Sequence, residues 1–381
     1  FLTADAKPIF GGTYWPPDDK EIEGDTVPGF KSVLARVIEL HRDKPKDLLA
    51  QADEVAKRTN DSLNRGGSRL VGDLDRDLVA GVARGLEFDP EHGGFGSKAR
   101  NYQGTKFPRV AALLFALKQS RTPAAVDVAK SVALALEKMA VGGIYDHLGG
   151  GFHRYSTERT WTIPHFEKML YDQAQLVELY AEAYRTHPRP EYQRAVVETL
   201  AFVAKELTSP EGAFYSALDA DTDGKEGEYY VWTVKELDAI LGTEADAKRF
   251  RAIYGLDGKP NFEGKAYILR LAKPLAETDE KLLAPSRQKL LAAREKREKP
   301  FLDTKVLTGW NGQMIAALAT AGEVLKEPKY LAVAEKAADF LLSTMRDKDG
   351  RLLRVYAAVP GGKPEARVPA VLEDYAFLAR G

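Results

Sequence analysis

Apolar residues follow two different periods along this chain. From Phe1 to Pro17 the pattern reads as strand and turn: Leu2, then Asp5-Ala6-Lys7-Pro8, then Ile9-Phe10, punctuated by Gly11-Gly12 and Pro16-Pro17. From Phe30 the spacing turns helical, with Val33, Leu34, Val37, Ile38 and His41 on one stripe. A second helix is expected over 45–59, and the turn-rich run 60–68 marks a domain boundary. Further amphipathic helices are expected near 73–87, 108–119, 123–140, 165–186, 190–207, 284–298, 309–326, 328–345 and 371–380.

The connectors share one plan: an acid near glycine, then an aromatic or aliphatic residue. They read Glu91-His-Gly-Gly-Phe95, Leu148-Gly-Gly-Gly-Phe152, Pro210-Glu-Gly-Ala-Phe214 and Asp347-Lys-Asp-Gly-Arg-Leu352. Phe95 to Phe152 is 57 residues and Phe152 to Phe214 is 62. Such a period, with two helices per unit, predicts repeated helical hairpins. Elaborated loops rich in His, Asp and Tyr at one end of each hairpin favour a mainly α fold of the (α/α) toroid type over an open solenoid. The stretch at about 219–303 breaks the period. It carries a strand-like run, Glu228-Tyr-Tyr-Val-Trp-Thr233, and a loop at 261–265, and reads as an insertion covering part of the toroid mouth.

Charge narrows the function class. Lys and Arg number 55 and Asp and Glu 56, giving a formal charge of -1. A dedicated nucleic-acid binder carries a basic excess, so that class is set aside. No apolar run approaches a membrane span. Cys is absent, which removes disulfides, thiolate metal sites and Cys nucleophiles from this chain. The opening at Phe1 gives no targeting signal to read, and a soluble cytoplasmic protein is the expectation. No P-loop, G-x-G-x-x-G, G-x-S-x-G or H-E-x-x-H occurs, and neither cofactor nor metal is expected.

The densest polar and aromatic stretch is 142–175, which holds three of the six His residues. Its glycine loop carries Tyr145, Asp146, His147, His153, Arg154 and Tyr155. Pro164 can open the following helix. His165, Lys168, Asp172 and Gln175 would then fall on one face pointing at the mouth. In that arrangement Asp172 or Asp146 can act as general acid or base, and His165 or His147 as proton shuttle. Tyr145, His153, Arg154, Trp161 and Lys168 would bind substrate, with Trp161 stacking on a sugar ring. The alternative is a polar network in which Asp172, Lys168 and His165 satisfy one another.

Two further clusters add candidates. Tyr215, Asp219 and Asp221 lie in an acidic stretch. Asp219 can serve as a catalytic carboxylate beside Asp221, or the stretch is a solvated turn. Its resemblance to a calcium loop fails at position 12, which falls on Tyr230. Trp310 and Asn311, on the first turn of a helix capped near Thr308, and Asp374, at the start of the last helix, would face the same mouth.

Longer motifs carry a family resemblance. G-G-T-Y-W-P-P at 11–17, G-G-I-Y-D-H-L-G-G-G-F-H-R-Y-S at 142–156 and W-T-I-P-H-F-E-K-M-L-Y-D-Q-A-Q-L at 161–176 are three of them. F-Y-S-A-L-D-A-D at 214–221, K-V-L-T-G-W-N-G at 305–312 and E-D-Y-A-F at 373–377 are others. Together they resemble the thioredoxin-domain-containing family that includes spermatogenesis-associated protein 20. The resemblance implies a thioredoxin-like domain fused to a six-hairpin glycosidase-type toroid, similar to those of N-acylglucosamine 2-epimerases. Residues 1–66 would be the C-terminal part of the thioredoxin-like domain plus a linker helix, and 67–381 an incomplete toroid of about four hairpins. The family's C-x-x-C would lie upstream, so a fragment of a longer protein is expected. A sugar or glycoside processed by general acid/base chemistry is the implied ligand. The alternative is a non-catalytic scaffold presenting protein clients to the thioredoxin-like part.

Overall fold

The computed structural model describes residues 1–12, 15–22, 25–65, 76–120, 126–242, 244–359 and 362–381. It divides into two compact units, Phe1–Asp75 and Arg76–Gly381. The boundary expected at 66–67 lies outside the described residues.

In the first unit, Leu2 bridges Pro8 around the predicted turn. Lys20–Ile22 pairs antiparallel with Asp25–Val27. Helices α1 (Phe30–Asp43) and α2 (Pro45–Arg65) follow. Pro45 opens α2, where its missing N–H costs nothing. The helix runs through Asn60 to Arg65, so the expected turn there is corrected: Asp, Ser, Leu and Asn continue the helical ladder. Val33, Leu48 and Ala52 are buried, whereas Leu34 and Ile38 of the predicted stripe stay exposed.

The second unit is mainly helical. It comprises α3 (Arg76–Arg84), α4 (Val110–Gln119), α5 (Val126–Val141), α6 (Leu170–Thr186), α7 (Pro190–Glu206), α8 (Val234–Leu241), α9 (Glu244–Tyr254), α10 (Glu277–Arg294), α11 (Thr308–Leu325), α12 (Pro328–Thr344) and α13 (Leu372–Arg380). Helices α4/α5, α6/α7 and α11/α12 form hairpins. The first helix of each pair also packs on the first helix of the next, α4 on α6 and α6 on α11, with α13 beside α11. This inner row backed by outer partners is the two-layer plan of an α/α toroid. Helix α11 is buried nearly all round, and its glycines allow close approach. A Cβ on Gly312 would lie 2.6 Å from the Leu378 amide nitrogen of α13, closer than atoms pack.

Helix α11 sits directly against α6 and α7, so α8, α9 and α10, within the stretch read as an insertion, lie outside this row of hairpins. Helices α8, α9 and α10 wrap a separate core of Trp232, Leu237, Leu241, Phe250, Tyr254, Leu283 and Leu290. Thr233 and Glu236 form a reciprocal capping box that starts α8. The strand expected over 228–233 reduces to a bridge between Trp232 and Tyr267. Tyr229 and Tyr230 turn inward to a small aromatic cluster instead.

Each predicted glycine connector closes on itself. Phe88 bridges Phe95, Tyr145 bridges Phe152, Thr208 bridges Phe214 and Arg346 bridges Leu352. Gly93, Gly94, Gly150 and Gly151 adopt positive φ, between 66° and 78°. At Gly150 a Cβ would also meet the Glu198 carbonyl oxygen at 2.3 Å.

Candidate functional site

The expected helix start at Pro164 is corrected first. Pro164–His165 is a short strand paired with Tyr155–Ser156, and Lys168–Met169 pairs with Ala217–Leu218. Helix α6 begins only at Leu170. Extended pairing satisfies backbone groups that an extra helical turn would leave to solvent at its N-terminus. Alternation along the extended segment then sends neighbouring side chains to opposite sides. Lys168 therefore parts from His165 and Asp172, and the single polar face dissolves into two environments.

One environment is a buried clasp. Lys168 is 0% exposed and donates to Asp146 Oδ2 and to the Gly150 carbonyl, both at 2.8 Å. Arg294, from α10, donates to both Asp146 oxygens at 2.8 and 2.9 Å. The amides of Leu148 and Gly149 donate to Asp146 Oδ1 as well. Burial alone would raise the Asp146 pKa, but Arg294 and Lys168 outweigh it and hold the carboxyl well below its usual range. Burial draws Lys168 down to about 8 against the pull of Asp146. Asp146 thus has every acceptor position engaged and is held ionised, which suits a structural anchor rather than a proton carrier.

The first glycine loop repeats this clasp. Lys106 donates to Asp89 Oδ2 and to the Gly93 carbonyl, both at 2.9 Å. Arg159 forks onto Asp89 at 2.7 and 2.8 Å, and the amides of Glu91 and His92 complete the set. The offsets match position by position: the acid accepts from the amides two and three residues on, and the lysine reaches the carbonyl four on. Sequence inspection found the loops but not Asp89, Arg159 or Arg294. The arginines lie far along the chain with no local signature.

A second device ties the loops to the inner helices. Gln173 on α6 accepts from the Phe152 amide at 2.8 Å and donates to its carbonyl at 2.7 Å. Asn311 on α11 does the same to Phe214, at 2.8 and 2.9 Å. Asn311 therefore spends its amide on backbone. Asp374 likewise accepts from the Gly309 and Val371 amides, each at 3.0 Å, and from Arg354 at 2.8 Å. Gln173 escaped sequence reading because nothing local distinguishes it from Gln175.

Other candidates are buried: Trp161, Tyr145, His147 and His153 are each at most 3% exposed. Trp161 is 0% exposed at φ +65°, donates to the His92 carbonyl at 2.9 Å and lies under Lys106. Tyr145 donates its hydroxyl to Glu198. His147 Nε2 meets the Gly142 carbonyl at 3.0 Å and His153 Nδ1 the Phe166 carbonyl at 2.9 Å. Burial lowers both imidazoles to about 3, so they are neutral packing groups. His147 stands edge-on to Tyr145 and Tyr254, within the joint between the loop and the insertion.

The remaining environment has unspent chemistry. Asp172, in the first turn of α6, has a buried Oδ2 with no hydrogen-bond partner. Burial, opposed by Arg154 and reinforced by Glu167, raises its pKa to about 8. Arg154 donates to Glu167 at 2.9 Å while its buried Nε has no partner. His165 lies 2.7 Å from Glu226 Oε1 and 3.7 Å from Glu167 Oε2. The carboxylates of Glu167 and Glu226 raise it to about 9. Glu167 is lowered, by His165 foremost and by Arg154. Beside Asp172, Tyr171 meets the half-buried Trp310 edge-on with ring centroids 4.8 Å apart.

Next to this cluster opens a pocket lined by Glu167, Ser216, Asp219, Asp303, Lys305 and Trp310, among others. Asp219 is exposed, its Oδ1 taking the Ala220 amide at 2.7 Å. Asp221 points to solvent on a hairpin that pairs it with Glu226. Tyr215 is half-buried on the hairpin core. Among the described residues no group of three His, Asp or Glu is placed to hold a metal ion. No described helix is long and apolar enough to cross a membrane.

No protein-family model matches the chain. Along its full length it is similar to spermatogenesis-associated protein 20 of Homo sapiens, 36% identical over 429 residues that cover 100% of this chain and 53% of the relative. The Mus musculus protein of that name is 35% identical over 431 residues, covering 100% of this chain and 52% of its own length. The resemblance seen in the motifs thus extends over the whole chain, which spans about half the length of these curated relatives. Among solved structures, a glycoside hydrolase family 76 mannosidase from Bacteroides thetaiotaomicron aligns over 64% of this chain and 47% of its own. Its identity is 12% and its TM-score 0.36. A sugar epimerase from a ruminal bacterium aligns over 79% and 95%, at 14% identity and a TM-score of 0.32.

Proposed function

We propose that the cluster at the start of α6 processes a sugar or glycoside by general acid/base chemistry, with Asp172 as the acid. The observation that carries this reading is the unpartnered, buried Oδ2 of Asp172. A carboxyl raised to about 8 keeps its proton at neutral pH and can deliver it to a substrate oxygen. Glu167, lowered by the neighbouring cations, stays ionised beside it. Two carboxyls driven apart in pKa are the usual mark of separate acid and anion roles. Trp310, braced edge-on by Tyr171, supplies an aromatic wall, and the pocket acids supply acceptors for hydroxyls. His165, held as a cation between two carboxylates, acts as a positioning group for Glu167 rather than as a base. Asp146 leaves the catalytic set because its oxygens serve the loop joint, and His147 because it packs within that joint and outside the pocket lining. In this reading residues 1–66 are the end of a thioredoxin-like domain with its linker helix, a view supported by F-L-T-A-D-A-K-P-I-F at 1–10, which resembles the last strands of such a domain.

The test is calorimetric titration of the full chain with monosaccharides, N-acyl hexosamines and short glycans, followed by product analysis with the best binder. Asp172→Asn is expected to bind that sugar as the parent does and to turn it over at least about 100-fold more slowly. Failure of every sugar to bind, or unchanged turnover in Asp172→Asn, would overturn the proposal.

A further inference from the structure

We infer that the pocket beside Trp310 selects an uncharged sugar and rejects its acidic counterparts, with Asp219 as the discriminating residue. This rests on the sugar reading above and adds the substrate's charge to it.

The wall carries three carboxylates, Glu167, Asp219 and Asp303, against one ammonium, Lys305. Their states of engagement differ. Lys305 is committed to Asp303, with Nζ 2.6 Å from Oδ2. Glu167 is committed to Arg154 and His165. Asp219 takes part in none of the ion pairs of the described residues; its Oδ1 accepts only the amides of Ala220 and, at 3.5 Å, Asp221. Its charge therefore reaches the pocket unneutralised. The backbone of this residue is fixed, its N–H donating to the Phe301 carbonyl at 2.9 Å, so the carboxylate stays on the wall.

Those facts set what can bind. Sugar hydroxyls donate well to a free carboxylate, and such charge-assisted bonds are the stronger kind. A uronate or sugar phosphate would bring a second anion against Asp219. The ammonium of this wall, Lys305, is already paired, so the incoming anion would have to break Lys305–Asp303 first. Trp310, half-buried in the same wall, offers apolar surface to a ring whatever its charge.

The experiment titrates the full chain with matched pairs: glucose and glucuronate, galactose and galacturonate, and a neutral disaccharide with its aldobiouronic acid. The neutral member is expected to bind about tenfold more tightly than its acid, the order expected for one like-charge contact at the protein surface. Asp219→Asn, an exposed position whose loss leaves the fold intact, is expected to shrink that ratio to about threefold or less by improving the acid. Raising the salt to about 1 M should shrink it in the parent as well. Equal or tighter binding of the acids by the parent, or a ratio unmoved by Asp219→Asn, overturns this inference and leaves the sugar reading standing. Absence of binding by both members of every pair overturns both.

Discussion

Replacing Asp146 with Asn tests the clasp most directly. The change keeps an oxygen for the Leu148 and Gly149 amides and removes only the charge. Two buried cations remain, Lys168 and Arg294, with side chains 1% and 5% exposed. Removing one partner from a buried ion pair costs about 3–5 kcal/mol, because the stranded charge has neither water nor a counterion. For a unit of this size about 1 kcal/mol moves the melting midpoint by roughly 2–4 °C, so a fall of roughly 6–20 °C is expected. The assay is differential scanning calorimetry of parent, Asp146→Asn and the exposed control Asp221→Asn, which should lie within about 0.5 kcal/mol of the parent. The folded Asp146 carboxyl is held below its unfolded value, so its stabilising effect is complete above roughly pH 4 and fades only as acid reaches the folded value. Adding Lys168→Met to Asp146→Asn should recover part of the loss by deleting one stranded cation. A midpoint no lower than the control's, or no recovery in the double variant, refutes the reasoning.

His165 provides a pH signature. Its folded value of about 9 lies above the unfolded value of roughly 6.5, so its contribution is full below pH 6.5 and disappears as pH rises through 9. His165→Gln should therefore melt lower than the parent at pH 6 and together with it at pH 10. Asn311→Leu would leave the buried amide and carbonyl of Phe214 without partners, and urea denaturation should report a loss of about 2–4 kcal/mol.

The hairpin plan was legible because glycine, an acid and an aromatic recur wherever a loop must close tightly, and because apolar periodicity marks helices such as α7, α11 and α12 to within a residue or so. The insertion was legible as a break in that rhythm. The site was legible only in part. Asp172 and Arg154 were named from their sequence neighbourhood and do act on one another, and Trp310, named with them, stands against Tyr171 beside Asp172. Helical spacing misassigned Lys168 and His165, because strand pairing to Ala217–Leu218 and Tyr155–Ser156 is a long-range effect that local periodicity does not register. Trp161 was expected to stack on a sugar ring, yet its indole fills the space over Gly94. Glu167 was not among the candidates, because an H-x-E pair at 165–167 has no Cys in the chain to complete a zinc site, although it links Arg154 to His165.

The two clasps differ in how far apart along the chain their parts are made. Asp89 and Arg159 are 70 residues apart, whereas Asp146 and Arg294 are 148 apart. At a synthesis rate of roughly 5–20 residues per second, the second loop waits about 7–30 s for its arginine to be made. Until then Lys168 alone balances Asp146, and the loop lacks the fork that fixes it. The first hairpins can consolidate during that interval through contacts of short span, while the joint to the insertion closes late. Arg294 thus couples the arrival of α10 at the nascent protein to completion of the second loop.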